Sequence, residues 1–226
     1  LTRSSAASDV YKRQIEEIDP IRFVSNKSSG KQGFEIASEL TRRGAHVTLI
    51  SGPVNIPFPN CENVIHVKTA QEMLDKVSQQ LPADILICSA AVADWKLIPK
   101  TSSKNKIDTN KKIKKTNNKL LFETLNNPDI LETIAKSNLR PKIVIGFSAE
   151  TNNLQKNAYS KLISKNVDLI IANDVSNNKV FGEDFNKVCL IDKNNYEQLE
   201  KQSKKSVAYH LANKINDLMI NYKKED

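Results

Sequence analysis

The chain has 226 residues, 39% hydrophobic and 27% charged, with 34 Lys and Arg against 26 Asp and Glu and a formal net charge of +8. That length supports one sizeable core or two small ones, the composition is that of a soluble globular protein, and no apolar run approaches the roughly 18–20 residues of a membrane span. The positive balance favours anionic partners such as nucleotides, phosphorylated metabolites or nucleic acid, although Lys and Asn are enriched along the whole chain.

Residues 1–14, LTRSSAASDVYKRQ, carry neither strand nor helix periodicity and no signal-peptide apolar stretch. From Gly33 the pattern turns helical, with Gly33, Ala37 and Leu40 on one face and Gly44 as the stop. AHVTLIS is a β-branched buried strand closed by Gly52-Pro53, and VIHVK is a shorter one. Thr69 and Glu72 form a capping box for a helix running to about Gln79. DILICSA has no polar alternation, as expected of a strand covered on both faces.

Residues 95–119 break the pattern: they are Lys/Asn-rich, without an apolar period, and 96–119 is the expected flap. Asn127-Pro128 is an N-cap with Pro at the first helical position, opening PDILETIAKS. KIVIGFSA is a strand, 153–165 a helix, VDLIIAN a strand and KVCLID a late or edge strand. Ser203 caps a last amphipathic helix carrying Val207, Leu211, Ile215 and Leu218. Strands alternating with helices imply an α/β, Rossmann-like fold, its mostly parallel sheet flanked by helices, with a long flexible flap. Ligands of such sheets sit at the carboxyl ends of the strands. That rule draws Ser51-Gly52, AAVAD, GFSAET and ANDVS towards one crevice.

Cys61, Cys88 and Cys189 are odd in number, widely spaced and without CxxC or Cys/His metal spacing. Structural disulfides and zinc are therefore not expected, and thiols acting as small hydrophobes fit a reducing cytoplasm. Neither GxGxxG after a strand nor GxxxxGK[ST] occurs. Four features remain. SNKSSGKQG at 25–33 runs into a helix N-terminus, where free N–H groups favour a phosphate or carboxylate. KIKK at 112–115 supplies cations for a closing flap. AAVADW pairs small residues, which admit a ligand close to the backbone, with Asp94. NNPDIL offers a second helix start, and Lys161 and Lys165, four apart, share one helix face able to grip a phosphate chain. Each feature also has an ordinary structural explanation: a Ser/Gly turn, a solvated charge run, a turn cap, a solvated helix face.

In this order DPIRFVSNKSSGKQGFEIA, SGPV, AAVADW, KIKK, NPDIL, GFSAETNN and LIIANDVS resemble phosphopantothenoylcysteine synthetase, in most bacteria the C-terminal half of a bifunctional coenzyme A biosynthesis protein. The resemblance runs from about Glu16 to the end of the chain. It implies a cytoplasmic ligase that joins 4′-phosphopantothenate to cysteine. CTP activates the carboxylate as an acyl-cytidylate with release of pyrophosphate, the cysteine amine then displaces CMP, and magnesium accompanies the nucleotide. It also implies a homodimer, with neither membrane nor nucleic acid as a partner and no flavin in this chain.

Carried over by motif, Asn26 acts on the acyl-cytidylate and Lys112 is the flap lysine on the nucleotide phosphates. The CTP contacts are Ser89, Ala90, Asp94, Lys112, Pro128, Asp129, Ile130, Leu131, Phe147, Lys161 and Lys165. The phosphopantothenate contacts are Arg22, near the dimer interface, with Asn26, Ser28, Ser29, Gly30 and Ala91. No residue is assigned to a metal. Family members begin with a strand and glycine turn of the form ILVTAGGT. Residues 1–14 stand in its place and are expected to be an unrelated or disordered leader to a single 15–226 domain. Loss of a central strand would leave unpaired N–H and C=O groups at a cost on the order of several kcal/mol. The competing readings are a Rossmann-type nucleotide-binding oxidoreductase, against which the missing glycine fingerprint counts, and a basic nucleic-acid-binding module, against which the lack of interleaved aromatics counts.

Overall fold

The computed structural model describes residues 5–7, 14–26, 28–89, 92–101, 103, 105–115, 119–176 and 183–225. In chain order the elements are β1 Ser5–Ala7, β2 Glu16–Glu17, β3 Phe23–Val24, α1 Lys31–Arg42, β4 His46–Ser51, β5 Asn63–His66, α2 Ala70–Gln79 and β6 Ile85–Cys88. There follow β7 Trp95–Lys100, β8 Leu121–Asn126, α3 Ile130–Ala135, β9 Ile143–Glu150, α4 Leu154–Ser164 and β10 Leu169–Asp174. The chain ends with β11 Phe185–Asn186, β12 Val188–Ile191, β13 Tyr196–Gln198, β14 Gln202–Ser203 and α5 Lys204–Glu225.

One sheet of eight strands, in the order β13-β12-β10-β9-β6-β1-β4-β5, organises the molecule. The six strands from β5 to β10 run parallel, and β12 and β13 are added antiparallel. Successive side chains of a strand point to opposite faces, and the core divides accordingly. Leu49, Ile85, Ile87, Ile145, Ile171 and Leu190 face one cluster, under Ile36 and Leu40 of α1 and Val207, Leu211 and Ile215 of α5. Ile50, Leu86, Val144, Ile170 and Ile191 face the other, under Met73 and Val77 of α2, Ile134 of α3 and Leu162 of α4. Burying a Leu or Ile side chain is worth about 1.5–3 kcal/mol, so both faces must stay covered.

The caps explain several helix limits. Thr69 Oγ1 accepts the Glu72 amide at 3.2 Å, while the Glu72 carboxylate accepts the Lys68 amide at 2.7 Å, one residue before the cap. Gly44 ends α1 at φ +84°, a left-handed conformation that a Cβ disfavours. Ser203 Oγ accepts the Ser206 amide at 3.1 Å at the start of α5.

Three expectations are corrected. First, Ser5–Ala7, within the segment read as structureless, lies as a strand between β4 and β6, with Ala6 opposite both Val47 and Ile85. The slot offers a row of N–H and C=O groups on either side, and a three-residue extended backbone pairs with them without any side-chain period. Second, residues 95–119 are not loop throughout. Trp95–Lys100 pairs antiparallel with Leu121–Asn126 as a hairpin stem beneath the lysine-rich segment. Third, the cap of α3 is Asp129, whose carboxylate accepts the Glu132 amide at 3.0 Å. Asn127 is used elsewhere: its side-chain amide donates to Ala93 O at 2.9 Å and to Glu16 Oε1 at 3.1 Å.

Candidate functional site

The chain order reverses direction between β1 and β6: β4 and β5 lie to one side of β1, β6, β9 and β10 to the other. Such a switch point opens a crevice at the carboxyl ends of the strands. A cleft of about 500 Å³ lies there. Its walls bring together Asn26, Asp94, Pro128, Asp129, Ile130, Leu131, Phe147, Lys161 and Lys165, with Cys88 at the end of β6. Contributions therefore come from six separate segments.

Asn26 is held by its side-chain amide, which donates to Val92 O at 3.0 Å. The Asn127 backbone amide donates to Asp94 O at 2.8 Å, so 92–94 and 126–129 are fixed against each other. Glu16 Oε1, buried, ties this pair to the α2 N-terminus by accepting the Ala70 amide at 3.1 Å. The cleft wall thus rests on a hydrogen-bonded scaffold rather than on free loop.

The two lysines of α4 are set differently. Lys161 Nζ donates to Glu150 Oε1 at 2.7 Å and to Ser148 Oγ at 2.9 Å. Ser148 also donates to Glu150, and Asn157 donates to its other oxygen at 3.0 Å. Burial pushes the Glu150 carboxyl up, but the donors Lys161, Ser148 and Asn157 and the Lys161 charge outweigh it and hold it below the usual carboxylate range. An ammonium has three donors; two of those of Lys161 are taken by a buried anchor. Lys165 Nζ instead pairs at 2.6 Å with Asp129, whose side chain is 41% exposed. One cleft cation is thereby anchored on a buried carboxylate and the other on an exposed one.

Lys112 is not brought to this cleft. It lines a second one of about 710 Å³, with Arg22, Lys111, Lys114 and Lys115 over an apolar floor that includes Ile113 and Phe122. Ser28, Ser29 and Gly30 form the turn into α1, with Gly30 at φ +96° as N-cap and the Lys31 amide 3.5 Å from Ser29 Oγ. Ser89 sits just beyond β6 with its Oγ buried and without a hydrogen-bond partner among the described residues. Ala90 and Ala91 lie outside the described residues. Ser51-Gly52 and ANDVS do not line the first cleft. Sequence reasoning named the NNPDIL and GFSAET segments but assigned no site role to Asn126, Asn127, Ser148 or Glu150. Of these, only the doubled Asn before Pro128 carried a local signal.

Among the described residues no cluster of three His, Cys, Asp or Glu could hold a metal ion. Asp94 and Asp129 are the carboxylates that line the cleft among the described residues. No helix among the described residues is long and apolar enough to cross a membrane.

Residues 13–219 match the model of the DNA/pantothenate metabolism flavoprotein C-terminal domain. The chain is 40% identical over 201 residues to the coenzyme A biosynthesis bifunctional protein CoaBC of Haemophilus influenzae, covering 88% of this chain and 48% of that protein. It thus spans about half the length of the curated relatives it matches. The crystal structure of a CoaBC C-terminal domain superposes with a TM-score of 0.75 at 30% identity, covering 96% of this chain and 98% of that one. A Cab2 variant solved in complex with phosphopantothenate-cysteine shares the fold, with a TM-score of 0.74 at 13% identity over 98% of this chain and 89% of its own. The chain belongs to the DNA/pantothenate metabolism flavoprotein C-terminal domain family.

Proposed function

We propose that the chain is a ligase of coenzyme A biosynthesis that joins 4′-phosphopantothenate to cysteine, using CTP and releasing CMP and pyrophosphate. Family membership supports the pathway, and the Cab2 complex with phosphopantothenate-cysteine supports a product of that kind. The observation that carries the reading is the convergence of a neutral amide, Asn26, and two cations, Lys161 and Lys165, on one cleft at the strand ends.

Each group has a physical task. Lys161 and Lys165 face the triphosphate and offset its charge. Pro128–Leu131 shape the nucleotide pocket, with Phe147 as its aromatic surface. Magnesium, when bound, neutralises phosphate charge on the leaving pyrophosphate. The substrate carboxylate attacks the α-phosphorus of CTP, and the P–O bond to pyrophosphate breaks. The cysteine amine then attacks the acyl carbon and the C–O bond to CMP breaks. Negative charge builds on the acyl oxygen in that second step. Asn26, fixed by Val92 O, donates to that oxygen without adding a net charge. Losing one such donor costs about 10²–10³ in rate. A homodimer that carries Arg22 to a neighbouring site, and Lys112 closing over the phosphates, belong to the same proposal.

The test is pyrophosphate release. It is expected only when CTP, 4′-phosphopantothenate and magnesium are present together, with ATP a poor substitute. Release that ignores 4′-phosphopantothenate, or tight NADPH binding without any response to CTP, would replace this reading.

A further inference from the structure

Among the described residues, the lysine-rich segment 107–115 is hydrogen-bonded to the body of the protein at one residue, Ile113. The Ile113 amide donates to Asp19 Oδ2 at 3.2 Å, and Arg22 Nη1 donates to Ile113 O at 3.3 Å. Asp19 is 2% exposed. Its Oδ1 accepts the Ile21 and Arg22 amides, both at 2.9 Å, and its Oδ2 accepts Arg22 Nη1 at 2.7 Å. Burial raises the Asp19 carboxyl, but the amides of Ile21, Ile113 and Arg22 and the Arg22 charge outweigh it and keep it ionised. One carboxylate therefore closes the 18–22 turn, orients Arg22 and grips a residue 94 positions away.

The charge around this clamp is one-sided. Lys111, Lys112, Lys114, Lys115 and Arg22 share the second cleft with Asp108, the only acidic residue lining it among the described residues. Like charges at such density repel, so the loop needs a fixed anion beneath it to stay folded down. Consecutive Cα atoms lie about 3.8 Å apart, so pinning the Ile113 backbone places Lys112 within one residue of a fixed point.

We infer that Asp19 is a positioning residue for Lys112: through the Ile113 backbone, and with Arg22 on the opposite side, it holds the lysine loop folded over the second cleft, the resting pose from which Lys112 closes toward the nucleotide phosphates. The part concerning Lys112 rests on the ligase reading; the clamp itself does not.

Two measurements on the full chain separate them. Limited trypsin digestion, read by mass spectrometry, reports cleavage after Lys111, Lys112, Lys114 and Lys115. A charge-assisted hydrogen bond lost from a closed segment raises its open population, and hence cleavage, by about tenfold or more. Asp19→Ala should show that increase at these sites. Asp19→Asn, which keeps an acceptor oxygen but not the charge, should fall between it and the parent chain. Ile113→Pro removes the donor N–H and leaves the Asp19 turn intact, so its cleavage after Lys111 and Lys114 answers the question even if Asp19→Ala misfolds. Unchanged cleavage in Ile113→Pro and Asp19→Asn would overturn the clamp.

The second measurement is a double-mutant cycle on pyrophosphate release. Asp19→Ala and Lys112→Ala should each slow it, and the double variant should be no slower than the slower single one. Effects that multiply would overturn the positioning role and leave Asp19 as an ordinary structural residue. A parent chain that releases no pyrophosphate would remove the ligase reading, and with it the role of Lys112, while the digestion still decides the clamp.

Discussion

Gly146→Ala tests how the sheet sets the cleft wall. Gly146 lies on β9 opposite Ile170 of β10 and Cys88 of β6. A Cβ there would stand 2.6 Å from Leu131 Cδ2 and 2.9 Å from Ile170 Cδ1, short of ordinary 3.4 Å contact by about 0.8 and 0.5 Å. Ile170 is 1% exposed and has nowhere to retreat, so Leu131, only partly buried, must yield. Leu131 lines the first cleft and Gly146 lies behind it, so the displacement enters that cleft. Overpacking of this kind costs about 1–3 kcal/mol, offset by the roughly 0.5–1 kcal/mol that Ala gains over Gly in a strand. The net destabilisation is about 1 kcal/mol, a fall of about 2–4 °C in Tm for a chain of this size. CTP affinity should fall several-fold in calorimetry. Gly44→Ala is the control. It strains the backbone at φ +84° but has nothing within 4 Å of its Cβ, so it should lower Tm and leave CTP affinity alone. Equal CTP affinities for Gly146→Ala and the parent chain would refute the reasoning, as would an unchanged Tm.

Other consequences follow from the same contacts. Lys161→Met leaves the buried Glu150 without its charged donor, at a cost of about 1–3 kcal/mol. Lys165→Met leaves only the exposed Asp129, still bound to the Glu132 amide, and should hardly change Tm; both variants should weaken CTP binding. Glu39 is held to about 2 from 4.5, by hydrogen bonds from Arg42 and then Arg43 against the opposing effect of burial. Its folded pKa lies below its unfolded one, so its contribution is complete above about pH 4.5 and is lost as the pH falls towards 2. At about 1.4 kcal/mol per unit the ceiling is roughly 3 kcal/mol, lowered because Arg42 faces solvent. Urea melts of Glu39→Gln should show that deficit at pH 7 and little of it near pH 2. Thr69→Ala should lose about 1 kcal/mol of stability through the missing cap of α2, without affecting CTP affinity.

What could be read from the sequence depended on the range of the interaction. The amphipathic stripes of α1 and α5, the capping box of α2 and the apolar runs of β4, β6, β9 and β10 are local patterns, and the elements fall where those patterns put them. The β7–β8 hairpin left no such trace. Every residue of β8 is exposed and β7 contains Pro99, so neither strand has an alternation to read. At Asn127 and Asp129, two cap residues flanked one proline, and a contact with Glu16, 111 positions away, decided their roles. The site was legible as motifs, but its wiring was not: Glu150 beneath Lys161 and Asp19 beneath Ile113 are tertiary contacts. The separation of Lys112 from the Asn26 cleft is likewise a consequence of chain path.

The most direct test of the central claim follows the fate of label from CTP in Asn26→Asp during a single turnover with 4′-phosphopantothenate, magnesium and cysteine. An added carboxylate at the cleft wall opposes charge growing on the acyl oxygen, but it leaves Lys161 and Lys165 in place for the first step. The expected result is a normal burst of pyrophosphate with the labelled acyl-cytidylate accumulating and CMP appearing at least about 10²-fold more slowly than in the parent chain. CMP formation at the parent rate, or no pyrophosphate burst from the parent chain itself, would contradict the account.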